Sequence, residues 1–208
     1  MQRKRLTRAE SREQTRRHLL DAAATSIAAK GLAATSVEDI VAKAGYTRGA
    51  FYSNFSSKSE LFIELLRLDH RHNQENLQKL LEAAASDENH PTLLASLYLK
   101  CYRDNNSCIL WTEARLQAMR DAEFRQRMNT FCAERLDMVA RFLELLCMPL
   151  GIQLPCSFTD HAFAIIALMD SVHQLNMTMP GEVPGALIEA LLSIAGLNGS
   201  WASSKTHP

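Results

Sequence analysis

Between Thr35 and Lys58 the chain carries two short amphipathic stretches, each opened by a capping residue and separated by a glycine. Thr35-Ser36-Val37-Glu38 has the form of a capping box, in which a hydroxyl accepts the third N–H of a helix and a carboxylate reaches back to the first. Val37, Ile40 and Val41 follow at helical spacing and predict one inward face. The stretch stops at Ala44-Gly45, where glycine can take the positive φ that a tight turn between helices needs. Thr47 can then cap a second short helix through about Phe55, with Ala50, Phe51 and Phe55 inward. Two short helices joined this way predict a helix-turn-helix. Ser57-Lys58-Ser59-Glu60 is a further capping box, opening a long helix to about Ala85.

The rest of the 208 residues reads as helix nearly throughout, because apolar residues recur at three and four spacing and no strict alternation occurs. The predicted fold is all-α with about nine helices: a three-helix N-terminal domain over 13–73, with its DNA-binding motif at about 36–55, joined to a larger helical domain over 74–197. The first helix is expected from about Ser11 to Lys30, ended by Gly31. Asp87-Glu88-Asn89-His90-Pro91 and Asn105-Asn106-Ser107 read as breaks on either side of a helix at about 91–104. Helices at about 109–120, 122–148, 158–177 and 184–197 follow. Residues 1–11 and 198–208 are polar and expected to be disordered.

In a helix-turn-helix the second helix enters the DNA major groove and its N-terminal residues meet base edges. The exposed residue types here suit that task. Arg48 can fork to guanine O6 and N7, and the Thr47 and Tyr52 hydroxyls can bond phosphate. Gly49 lets the backbone come close, Asn54 lies on the same face, and Lys58 opens a helix whose free N–H groups favour an anion. Charge agrees. Net charge is zero overall, yet residues 1–58 hold eleven Lys and Arg against five acids, leaving twelve against eighteen in the remainder. A basic quarter on an acidic remainder points to a polyanion at the N-terminal part alone.

Over about residues 13–73, which include the run LLDAAATSIAAKGLAATSVEDIVAKAGYTRGAFYSNFSSKSELF, the chain resembles the TetR-type bacterial repressors. That resemblance implies DNA contacts at Thr35, Ser36, Thr47, Arg48, Gly49, Tyr52, Asn54 and Lys58. Ile27 stands where the family usually has Phe, Val41 where it has Ala, and Tyr46 where Val is commoner. The first two are core positions. ILWTEARLQAMRDAEFRQRM, with its Arg120-Asp121 junction, and AFAIIALMDSVHQLNMTMPGEVPGALIEALLSIAGL resemble later helices of such regulators more loosely. The resemblance implies a palindromic double-stranded operator, a small-molecule effector, and a homodimer through the helices at 158–177 and 184–197. The helix at 158–177 is apolar on most of its circumference, so it needs cover on more than one side, which a twofold partner provides.

An effector pocket is expected between the fourth helix and the helices of 91–148. Candidate apolar lining is Leu65, Tyr98, Trp111, Met119, Phe124, Met128, Phe131, Phe163 and Met169, and the polar candidates are Glu113, His161, Asp170 and His173. Each of these also suits a plain core or surface role. With no strongly charged cluster among them, an apolar or aromatic effector is favoured. Cys101 and Cys108 flank the Asn105-Asn106 turn and could act as a thiol switch. None of the five cysteines forms a CxxC pair, so no metal site is expected. There is no Gly-rich phosphate loop, no GxSxG and no metal-spaced His and Cys set, so neither catalysis nor a cofactor is expected. No apolar run is long enough to span a bilayer and the basic start lacks an apolar core, so the expected location is cytoplasmic. The competing reading is an interaction protein that has kept the fold and lost DNA binding; it predicts a weakened reading face.

Overall fold

In a computed structural model the described residues are 7–84, 105–148, 151 and 153–179. Seven helices run through them: α1 (Arg8–Ala34), α2 (Val37–Ala44), α3 (Arg48–Tyr52), α4 (Lys58–Ala84), α5 (Asn105–Arg120), α6 (Ala122–Cys147) and α7 (Phe158–Thr178). The expected helices at 91–104 and 184–197 lie outside the described residues, as do Tyr98 and Cys101. The all-helical class is as the sequence predicts.

Several boundaries move, each for a local reason. Helix α1 starts at Arg8, because Thr7 and Glu10 form a capping box: Glu10 N–H donates to Thr7 Oγ1 (3.2 Å) and Thr7 N–H to Glu10 Oε2 (2.7 Å). Part of the segment expected to be disordered is therefore helical. Gly31 does interrupt α1, with φ +83°, but one more turn follows to Ala34. Helix α3 is shorter than predicted, since Ser53 and Asn54 turn out of it. Asn105-Asn106-Ser107 is the first turn of α5 and not a break; small polar residues suit helix N-termini as well as turns.

The chain divides into two units, each with its own packing. The first comprises described residues 7–69 and 109–128. Its interior is built from Leu19, Ala23 and Ile27 of α1, Ile40 of α2, Phe51 of α3, and Leu61, Phe62 and Leu66 of α4, all fully buried. Phe62 stacks on Phe124 with ring centroids 5.7 Å apart. Ile27 and Val41, two of the three departures from the family pattern, are both buried, as core positions should be. Tyr46 is half-buried, its hydroxyl 3.1 Å from His18 Nδ1.

The second unit comprises described residues from His70 to Ala84, 105–108 and from Asn129 onward. Ala140, Leu143 and Cys147 of α6 bury themselves against Ala162 of α7, with Leu136, Val139, Phe158 and Ile165 packed around them. Arg135 of α6 donates twice to Asp170 of α7, at 2.9 and 3.2 Å. Buried His70 lies 3.0 Å from Glu134 Oε2 and against the Phe131 ring. Among the described residues no helix is long and apolar enough to cross a membrane.

Candidate nucleic-acid interface

The first unit presents a helix-turn-helix whose two helices are fixed by caps at every end. Ser36 is the N-cap of α2: its Oγ accepts from Asp39 N–H (3.1 Å), while the Asp39 carboxylate accepts from Ser36 N–H (2.8 Å) and Oγ–H (2.6 Å). The box thus sits one residue later than the Thr35…Glu38 pairing predicted from sequence. Lys30 Nζ, 2.7 Å from Asp39, selects this register. The Lys30 bond and then the Ser36 bonds hold the Asp39 carboxyl far below the ordinary aspartate range. At the other end of α2, Gly45 adopts φ +74° and its N–H reaches the Ala42 and Val41 carbonyls. Tyr46 N–H donates to the Val41 carbonyl at 2.9 Å, so the turn is closed and α3 is aimed.

Thr47 is the N-cap of α3, its Oγ1 accepting from Ala50 N–H at 3.2 Å. Two arginines of α1 hold the far end of α3: Arg12 donates to the Ser53 carbonyl (3.3 Å) and Arg16 to the Asn54 carbonyl (3.0 Å). The Arg16 guanidinium also lies 4.3 Å from the Phe55 ring centroid. Arginines that the charge count assigns to DNA attraction are therefore partly structural. Phe51, fully buried, fastens the inner face of α3.

What α3 leaves outward is Thr47, Arg48, Gly49 and Tyr52, all exposed. The Thr47 hydroxyl accepts in the cap and keeps its own proton to donate. Gly49 has an ordinary helical conformation, and a Cβ built there would meet nothing nearer than Thr47 Oγ1 at 3.7 Å. Among the described residues nothing requires glycine there, although it weakens a helix by about 1 kcal/mol relative to alanine. The Arg48 guanidinium is not free: Nη1 lies 2.7 Å from Glu38 Oε1, and Cζ lies 5.7 Å from the Tyr52 ring centroid. Tyr52 and then Glu38 favour its charged form.

The other four residues expected at the DNA each make bonds within the chain. Thr35 is fully buried, and its hydroxyl donates to the Gly31 carbonyl at 2.7 Å. Ser36 spends both hydroxyl functions on Asp39. Asn54 is half-buried, its Nδ2 donating to the Ala50 carbonyl at 2.8 Å. Lys58 is half-buried and its Nζ donates to the Leu32 and Thr35 carbonyls, both at 2.8 Å; burial lowers its pKa. The last turn of α1 exposes carbonyls to that ammonium, so Lys58 ties α4 to the α1–α2 junction. In the box at the start of α4, Glu60 N–H donates to Ser57 Oγ (3.0 Å), while the Glu60 carboxylate accepts from Ser56.

Sequence reasoning gave Glu38 only a capping role and did not foresee its bond to Arg48 or the two arginines that cap α3. Their partners lie on other helices, and no local spacing announces them. The pocket candidates fall in both units. Glu113 accepts the Leu32 N–H at 3.0 Å, and a Cβ at Gly31 would lie 3.0 Å from its Oε1. It caps the interruption in α1 and belongs to the first unit. Trp111 Nε1 donates to Asp69 Oδ2 at 2.6 Å in the same unit. Met119 and Phe163 are exposed at 79% and 67%, which does not suit residues closing over a ligand within one chain. Phe124 and Met128 are buried in the first unit, as is Leu65. Phe131, His161 and His173 are buried in the second, where Met169 and the ion-paired Asp170 are half-buried. His161 Nδ1 donates to the Ser157 carbonyl at 3.1 Å. A groove of about 550 Å³ in the second unit is lined by other side chains: Gln74, Glu75, Gln78, Lys79, Glu82 and Met138.

Comparison with known proteins places this geometry. Residues 19–65 match bacterial regulatory proteins of the tetR family. The transcriptional regulator AcrR of Shigella flexneri is 44% identical over 64 residues, 31% of this chain and 29% of that protein. The chain therefore aligns with less than a third of that relative's length. A TetR-family transcriptional regulator from Cytophaga hutchinsonii superposes with a TM-score of 0.71 over 96% of this chain and 98% of its own, at 18% identity. The transcriptional regulator FadR of Bacillus subtilis, solved with stearoyl-CoA, gives 0.69 over 86% and 96%, at 20% identity. The segment that carries the capped helix-turn-helix is thus similar to the tetR family of bacterial regulatory proteins, and the all-helical fold around it is shared with the solved regulators.

Proposed function

We propose that this protein is a cytoplasmic, sequence-specific DNA-binding regulator of transcription. On this reading it holds a palindromic operator as a homodimer and is released from it by a small apolar or aromatic effector. Repression is the mode the family resemblance favours, since a dimer on a promoter blocks it. Residues 13–73 read DNA, and residues 74–197 sense and dimerise. The observation that carries the reading is the outward edge of α3. Thr47, Arg48, Gly49 and Tyr52 stand exposed on a helix capped at both ends, and Gly49 has no internal reason to be glycine. That edge is intact, which weighs against the interaction protein without DNA binding. AcrR, one of the matched relatives, is a transcriptional regulator.

Dimerisation is supported by apolar side chains that α7 leaves in the open: Phe163 at 67%, Leu175 at 43%, and Met179 just beyond at 49%. An effector with an apolar body fits the FadR likeness, although that likeness in itself concerns the fold. Release requires that the effector bind one of two states better; a coupling of about 1–3 kcal/mol changes DNA affinity about 5- to 150-fold. Helix α4 is the proposed lever, with residues up to Asp69 in the first unit and the remainder in the second.

The test is selection from a random duplex pool at moderate salt. A palindromic consensus is expected, with half-sites about one helical turn apart or a multiple of it. Salt-sensitive binding with no enriched sequence would instead favour the interaction protein, or a form that needs its ligand to bind DNA.

A further inference from the structure

The reading surface holds a carboxylate that neither the caps nor the DNA contacts account for. Glu38 lies in the first turn of α2 beside Asp39, but it is Asp39 that closes the capping box. The Glu38 side chain crosses to α3 and accepts from Arg48 Nη1 at 2.7 Å. Both side chains are mostly exposed, 58% for Glu38 and 63% for Arg48, so the pair adds little to the stability of the fold. An acidic group on a face offered to a polyanion is unfavourable by itself. Tied to a cation on that face it has a use. Arg48 is held between Glu38 of α2 and the Tyr52 ring of α3. A free arginine samples many rotamers, whereas bidentate recognition of guanine needs one plane and one direction. A guanidinium has five N–H groups, and one bond to Glu38 leaves enough for a fork. Water excluded at a DNA interface lowers the local dielectric and strengthens the pair.

We propose that Glu38 is a specificity-determining positioning residue, which fixes the plane of Arg48 so that the remaining N–H donors meet guanine O6 and N7. This rests on the reading of α3 as the helix that enters the major groove. The alternative role for Glu38 is direct acceptance from cytosine N4.

The experiment is parallel selection from one random duplex pool with the full chain in four forms: unchanged, Glu38→Ala, Arg48→Ala and the double variant. The enriched duplexes are then titrated with each form. The unchanged protein should enrich guanine at one position of each half-site. Glu38→Ala should keep the half-site outline and lose about tenfold of the discrimination at that position. In the Arg48→Ala background it should change nothing further. A preserved guanine preference overturns the proposal, including the case where affinity rises evenly for every sequence, as removal of a bystander charge would do. A change of preference at a different base pair that persists without Arg48 also overturns it and makes Glu38 a direct contact. If the unchanged protein enriches nothing, the DNA reading itself falls and the proposal with it. Melting curves show whether Glu38→Ala is folded; should it not be, Glu38→Met, which keeps the length of the side chain and removes the carboxylate acceptor, replaces it in the same comparison.

Discussion

Gly49 and Lys58 are residues whose types suggest similar roles and whose surroundings separate them. A methyl at position 49 meets nothing closer than 3.7 Å and improves helix propensity by about 1 kcal/mol. Gly49→Ala is therefore predicted to melt at or above the wild-type temperature while binding the selected duplex at least several-fold more weakly. A melting scan and an anisotropy titration on the same sample check both halves. Lys58→Met strands the Leu32 and Thr35 carbonyls that its ammonium now serves. It should cost roughly 1–3 kcal/mol of stability, measured by urea unfolding. Unchanged stability with a salt slope lowered by about one would make Lys58 a phosphate contact and not a strut. The exposed edge of α3 was legible because Thr, Arg, Gly and Tyr follow a turn glycine at fixed offsets. The buried roles of Thr35 and Lys58 were not. Lys58 bonds carbonyls 23 and 26 residues upstream, a relation made only by tertiary folding.

Helix α2 shows what a cap contributes and how far cap signals can be read. Thr35-Ser36-Val37-Glu38-Asp39 offers two overlapping boxes, and local pattern cannot choose between them. The choice falls to Ser36…Asp39 because Lys30 reaches Asp39 and the Thr35 hydroxyl is drawn to Gly31. The same ambiguity explains why Asn105-Asn106-Ser107 read as a break and yet starts α5. Thr7…Glu10 was an unambiguous box that the polarity of the N-terminus masked. The box of α2 has a pH signature. Asp39 has its carboxyl pKa lowered in the folded protein, so its stabilising contribution is present above the ordinary aspartate range and is lost as pH falls toward the lowered value. Melting temperature should fall on acidification, and Asp39→Asn should flatten that limb. An acid limb of the same steepness in the variant would assign the effect to other carboxylates. Gly45→Ala should destabilise by about 1–2 kcal/mol, because φ +74° is a left-handed conformation that L side chains resist.

At the scale of the whole molecule the division of charge has a function. Eleven basic against five acidic residues lie before residue 59, with the acidic excess in the remainder, so only one end is drawn to a polyanion. Part of that basic charge is already spent: Arg12 and Arg16 cap α3, Lys30 holds Asp39 and Lys58 holds α1 carbonyls. The salt dependence of DNA binding should therefore be shallower than a count of basic residues implies. The all-helical class was readable from periodicity throughout. The effector site was less so, since Met and aromatic residues at helical spacing serve cores and cavities alike, and Glu113 and Trp111 turn out to brace the first unit. The apolar side chains left exposed around α7 predict a dimer by sedimentation at micromolar concentration without DNA. A monomer would remove the reason for a palindrome.

The central claim is that the outward edge of α3 reads sequence, and the most direct measurement is the ratio of two dissociation constants at one moderate salt concentration. One is for the selected duplex and the other for a scrambled duplex of equal length. A sequence-reading protein should prefer the selected duplex by about 10³-fold or more, and Arg48→Ala should cost about 1–3 kcal/mol on that duplex alone. Equal constants for the two duplexes, or an equal loss on both in Arg48→Ala, would contradict it.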